Sequence, residues 1–234
     1  MSRTSEQINK EAKENLIDYI SKNDYDNVEA YMGYFSLFNQ PEGLNFEFNG
    51  HSPLAVACNS NKTLDIVKLL LDHDADPNYI LKEHNETALH VAIAWKENID
   101  IVKILLDYGA DPNIPDIDNE TALMNASEYG RTEMAKLLLD YGADPNIRDI
   151  NGTTALILAS NRGHIETVEL LLQRGADPTI VNNKGQHFKD YQKLRKIQRR
   201  FREKRTKKRN RAAKRIQSRA RGKMTRKRDY LSKY

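Results

Sequence analysis

The sequence predicts an all-α solenoid of stacked helix-turn-helix units with short hairpin-like fingers, followed by a basic C-terminal helix. Three observations predict it. Asp-Pro recurs at Asp76-Pro77, Asp111-Pro112, Asp144-Pro145 and Asp177-Pro178, separated by 35, 33 and 33 residues. Each copy follows an apolar run: Ile66-Val67-Lys68-Leu69-Leu70-Leu71, then the runs at 101–106, 134–139 and 167–172. About 24 residues before each Asp-Pro stands a second signal, Ser52-Pro53-Leu54-Ala55, Thr87-Ala88-Leu89-His90, Thr121-Ala122-Leu123-Met124 or Thr154-Ala155-Leu156-Ile157. A fixed period near 33 is the mark of a repeat array, in which no unit can bury its apolar face alone.

Each element has a local reason. Ser or Thr before the first helix of a unit can accept a free N–H of its first turn. Ala57, Ala92, Ala126 and Ala159 leave room for neighbouring helices. Gly109, Gly142 and Gly175 supply the left-handed backbone that ends the second helix, and the proline turns the chain outward. His73-Asp74 fills that place in the first unit, which predicts a looser cap there. An extra residue is expected in the inter-helix turns near 59–63 and 95–98. The units span about 49–80, 83–114, 117–147 and 150–180. A divergent unit at 7–46 caps the front, with helices expected around 15–20 and 28–32, and a partial cap at 181–190 closes the back.

These residues resemble the ankyrin repeat, whose pattern includes T-P-L-H-x-A and a terminal G-A-D-x-N. The fourth unit fits best, through Gly152-Thr153-Thr154-Ala155-Leu156, Gly163-His164-Ile165-Glu166 and Gly175-Ala176-Asp177-Pro178. The resemblance implies a protein-binding scaffold in which His90 and His164 bond to backbone. Its variable surface comprises the fingers and the inter-helix turns. Candidate partner-binding residues there are Tyr79, Trp95, Asp116, Asp118, Tyr129 and Asp149.

Charge divides sharply along the chain. The whole carries 37 Lys plus Arg and 33 Asp plus Glu, a net of +4. Residues 1–190 carry a net of −15 and residues 191–234 a net of +19, with 21 bases against Glu203 and Asp229. The basic segment 192–228 has no proline and one glycine, and its apolar residues recur at spacings of three and four: Leu194, Ile197 and Phe201, then Ala213, Ile216, Ala220 and Met224. That spacing places each group on one face of a helix.

Two stretches there resemble the IQ motif, I-Q-x-x-x-R-G-x-x-x-R, which binds calmodulin and related light chains. Ile216-Gln217-Ser218-Arg219-Ala220-Arg221-Gly222-Lys223-Met224-Thr225-Arg226 matches at every specified position. The stretch from Ile197 to Lys207 departs from it, with Glu203 for the glycine and Lys207 for the last arginine. By this resemblance Ile197 and Ile216 anchor an acidic, Met-lined lobe, with Phe201 and Met224 in support. Gln198 and Gln217 bond its backbone, and Arg202, Arg221 and Arg226 pair with its carboxylates. Nucleic acid is the rival partner, since Lys204-Arg205-Thr206-Lys207-Lys208-Arg209 looks like a nuclear-import signal and such a charge releases phosphate counterions. An array followed by IQ motifs resembles inversin-type adaptors. The Asn-, Lys-, Ile- and Tyr-rich style resembles ankyrin proteins of amoeba-infecting giant viruses, in composition only.

Other function classes find little footing. No P-loop, G-x-G-x-x-G or G-x-S-x-G is present, so no enzyme and no cofactor is expected. The six histidines have no zinc spacing, and 116–120 lacks the glycine and glutamate of a calcium loop. Asn-x-Ser/Thr triplets such as Asn85-Glu86-Thr87 sit where turns and caps want those residues. One cysteine, Cys58, and no apolar leader point to an intracellular monomer, cytoplasmic or nuclear rather than secreted.

Overall fold

The computed structural model describes residues 5–37, 43–60, 63–94, 98–188 and 199. Among them no strand forms, and ten helices follow in pairs. The front pair is α1 (Ser5–Ser21) and α2 (Tyr25–Leu37). Four shorter pairs follow: α3 (Pro53–Cys58) with α4 (Leu64–Asp72), α5 (Ala88–Ile93) with α6 (Ile99–Asp107), α7 (Ala122–Glu128) with α8 (Thr132–Asp140), and α9 (Ala155–Arg162) with α10 (Ile165–Gln173). First helices pack in one row, α1 on α3 on α5 on α7 on α9. Second helices pack in a parallel row, α2 on α4 on α6 on α8 on α10. The chain is therefore a helical-repeat solenoid over residues 5–188, and this array belongs to a compact unit that ends at Phe188. No helix among the described residues is long and apolar enough to cross a membrane.

The core repeats with the sequence. Leu54, Leu89, Leu123 and Leu156 are buried on the first helices beside Ala57, Ala92, Ala126 and Ala159. Val67, Val102, Ala135 and Val168 answer them from the second helices, followed by the fully buried Leu70, Leu105, Leu138 and Leu171. Small alanines facing branched side chains let two helix rows interlock at close-packed density. At the front, Leu16, Ile20, Val28 and Met32 fill the same space, and Leu44 and Phe46 close it.

The helix ends follow their expected chemistry, with one correction. Ser52, Thr121 and Thr154 accept the N–H of Ala55, Met124 and Ile157. His90 reaches back to the N–H of Thr87 through Nδ1 at 3.2 Å. The first unit is not more loosely capped: Asp74 itself takes the left-handed backbone, φ +64°. The N–H of Ala75 then bonds the Leu70 carbonyl at 3.0 Å, as Ala110, Ala143 and Ala176 bond Leu105, Leu138 and Leu171. Aspartate tolerates this conformation better than most residues, because its short polar side chain can bond locally.

The period of 35 has two sources. One extra residue separates the starts of the paired helices in the first two units, where 61–62 and 95–97 lie outside the described residues. A second, missed in the sequence, lies in the first finger: its closing bond runs from Leu81 N–H to Glu86 O, against Asp116 to Glu120 and Asp149 to Thr153 later.

Candidate protein-interaction surface

Backbone and side-chain hydrogen bonds tie each finger to the next. Each Asp of the Asp-Pro motif turns its Oδ1 onto the N–H two residues on, at 2.8–2.9 Å in all four units. The asparagine at that next position then bridges units. Asn78, Asn113 and Asn146 accept through Oδ1, at 2.7 Å, the N–H of Asp111, Asp144 and Asp177. Their Nδ2 groups donate to the carbonyls of Gly109, Gly142 and Gly175. Asn45 makes the first bond of this ladder, to Asp76, one residue after buried Leu44 rather than three after a buried alanine.

Beyond this ladder the finger tips join directly. Asp116 Oδ1 accepts the N–H groups of Asp118 and Glu120, and Asp149 Oδ1 those of Asn151 and Thr153. Ile117 N–H then bonds His84 O at 2.9 Å, and Ile150 N–H bonds Asp118 O at 3.1 Å. With the backbone so committed, the tips present side chains without the freedom of ordinary loops.

Two further ladders hold the helix rows. The residue before the second helix of a unit reaches the end of the preceding unit's first helix. Asn98 Nδ2 bonds Cys58 O at 3.0 Å, Arg131 bonds the carbonyls of Ile93 and Ala94, and His164 Nε2 meets Glu128 O at 2.8 Å. These carbonyls lack intrahelical partners, so the next unit supplies them. Along the outer row, Tyr108 donates to Asp72, Tyr141 to Asp107, and Arg174 pairs with Asp140 at 2.6 Å.

The surface left for a ligand carries exposed apolar groups on this frame. Ile117, Tyr129 and Ile150 are 58, 59 and 60% exposed, and Ile80 and Val181 lie open on the first and fourth fingers. Tyr129 stands at the end of α7, with the Arg131 guanidinium 5.1 Å from its ring centre. Beside it Glu128 accepts from Arg162 Nε at 3.2 Å. An aromatic ring backed by a guanidinium is the kind of group that dominates protein interfaces.

The sequence-predicted residues fall in different settings. Tyr129 and Asp118 are exposed, and Tyr79 is half-buried. Asp116 and Asp149 hold the turns described above, and Asp149 is only 8% exposed, so its carboxylate serves the finger itself. Trp95 lies outside the described residues, as do Ile197, Gln198, Phe201, Arg202, Ile216, Gln217, Arg221, Gly222, Met224 and Arg226. Ile117 and Ile150, which recur 33 residues apart, lie on the fingers that the sequence marks as variable surface but are not singled out by it. Nor are the bridging asparagines, although Asn stands after Asp-Pro in three units. No group of metal-binding side chains gathers among the described residues.

The fold is a helical-repeat scaffold whose fingers are tied one to the next by hydrogen bonds. Among known families, the model for ankyrin repeats (3 copies) matches residues 16–116 and again 114–182. The chain belongs to the ankyrin-repeat family. Among curated proteins none matches it.

Proposed function

We propose that this protein is a non-enzymatic adaptor with two recognition elements. Ankyrin repeats generally mediate protein–protein interaction, and here the array binds a protein across its finger tips and inter-helix turns. The observation that carries this reading is the set of exposed Ile117, Tyr129 and Ile150 side chains on a hydrogen-bonded frame. Apolar groups on fixed backbone lose little entropy when covered.

The second element is the basic segment 191–234, read as a helix for calmodulin or a related light chain. What supports it is sequence: Ile216-Gln217 through Arg226 at IQ spacing, and Ile197-Gln198 before it. A peptide of residues 190–230 is expected to bind calmodulin, and Ile197→Asp with Ile216→Asp to abolish binding. Binding unchanged by those substitutions, but falling steeply with salt and shared by RNA or DNA, would assign the segment to nucleic acid instead.

One experiment separates the two elements. Affinity purification with the full chain and with residues 1–188 should return array partners from both and light chains from the full chain alone.

A further inference from the structure

The charge around the exposed isoleucines is as uneven as the charge along the chain. Residues 108–121, which form the second finger, contain four acids and no base. Glu83 and Glu86 lie on the finger before it with Lys82, Asp149 on the finger after it with Arg148, whose guanidinium is turned onto the carbonyls of Gly152 and Val181, and Glu128 at the end of α7. Their repulsion is felt: burial, then Asp116, Glu128, Asp149 and Asp118 in turn, hold the Glu120 carboxyl above the usual range. Glu128 is neutralised by Arg162. Among the described residues no cation pairs with Asp116, Asp118, Glu120 or Asp149. Asp116 and Asp149 spend one oxygen on two backbone N–H groups each, and Asp149 is buried in its own turn, so the exposed carboxylate of the second tip is that of Asp118, flanked by the half-buried Asp116 and Glu120.

Ile117 and Ile150 stand in this anionic field, joined through the Ile150–Asp118 backbone bond. We propose that the second and third finger tips dock a cationic, apolar segment of a partner protein, in which Lys or Arg alternates with Leu, Ile or Val. Its apolar side chains cover Ile117 and Ile150 while its cations meet Asp118 and Glu120. Charge complementarity selects this occupant over a neutral or acidic peptide, because like charge brought onto the patch is repelled. The inference rests on the finger tips being the partner surface, as proposed above, and adds the chemistry of what they hold.

The test uses the full chain and a labelled twelve-residue peptide alternating lysine with leucine, with the glutamate–leucine and lysine–serine peptides as controls. Asp118→Asn with Glu120→Gln should weaken binding of the lysine–leucine peptide about tenfold, the equivalent of ~1.4 kcal/mol, and flatten its salt dependence. Ile117→Ser with Ile150→Ser should weaken it similarly and leave the salt dependence steep. Unchanged melting temperatures and circular dichroism show that the variants fold. Binding by either variant as tight as the parent's, or binding of the glutamate–leucine peptide as tight as that of the lysine–leucine peptide, overturns the inference. The same variants in affinity purification separate it from the broader reading. A protein partner lost with Ile117→Ser and Ile150→Ser but kept with Asp118→Asn and Glu120→Gln leaves the surface in place and removes its cationic preference. A partner lost with both supports both.

Discussion

Asn98 Nδ2 lies 3.0 Å from the carbonyl oxygen of Cys58, a hydrogen bond that spans 40 residues and locks the second unit onto the first. Both residues are buried, and the bond satisfies the end of α3. Among the described residues the Asn98 Oδ1 has no hydrogen-bond partner, so the side chain's bond is the one its Nδ2 donates. Asn98→Ala is expected to cost about 1–3 kcal/mol, as for a buried carbonyl left unpaired. Asn98→Asp should cost more, since it removes the donor and buries a charge. Urea midpoints of the two variants check the order.

Cys58 should be inert while the array is folded. Its thiol is fully buried, and burial alone pushes its pKa far above the ordinary value. The thiolate is the reactive form, so labelling with an alkylating reagent at neutral pH is expected only after denaturant opens the first unit. The labelling rate against urea concentration then reports the opening of α3 and α4. Rapid labelling in buffer would show that this end of the array breathes.

Gly130 turns the chain between α7 and α8 at φ +66°, and a Cβ there would run into the His164 ring, 2.7 Å from Cε1 and Cγ. The ring cannot retreat without giving up its bond to Glu128 O. Gly130→Ala is therefore expected to destabilise the array by about 2 kcal/mol, combining backbone strain with the lost contact. Gly142→Ala, at φ +89° with open space around it, carries only the strain and should cost less. Thermal melts of the two variants compare them.

His90 makes the array acid-sensitive. Its ring is buried against Thr87 and Glu120 O, and burial holds its pKa below the usual histidine value. The unfolded chain therefore takes up the proton first. Stability from this group is complete above the unfolded pKa, roughly 6.5, and is lost as pH falls through it toward the folded value. Urea midpoints should drop between pH 7 and 5, and His90→Asn, less stable at pH 7, should flatten that slope.

Much of this architecture could be read from the sequence, because a repeat states its fold several times. The Asp-Pro period, the paired Ala and Leu of the first helices and the glycines after three of the four second helices of the regular units indicate the helix order, since each is a local requirement written at the same offset. The site was less legible. Asp116 and Asp149 looked like free surface charges, but a carboxylate two residues before a backbone N–H in a tight turn is more useful to the turn. Ile117 and Ile150 were passed over because exposed apolar residues leave no periodic signature of burial. The matching asparagines at 78, 113 and 146 were visible but explain themselves only when one sees that each reaches the following unit. The first finger's extra residue was hidden because it and the turn's extra residue add to the same change in period.

The finger tips and the end of α7 form the proposed partner surface. It is tested most directly by affinity purification with the full chain carrying Ile117→Ser, Tyr129→Ser and Ile150→Ser. All three side chains are exposed, so the array should keep its helical content and melt within about 1 °C–3 °C of the parent, as surface changes do. The array's protein partners should be lost while the fold stays intact. Partners retained in full by this folded triple variant would contradict this assignment and move the binding surface elsewhere on the solenoid.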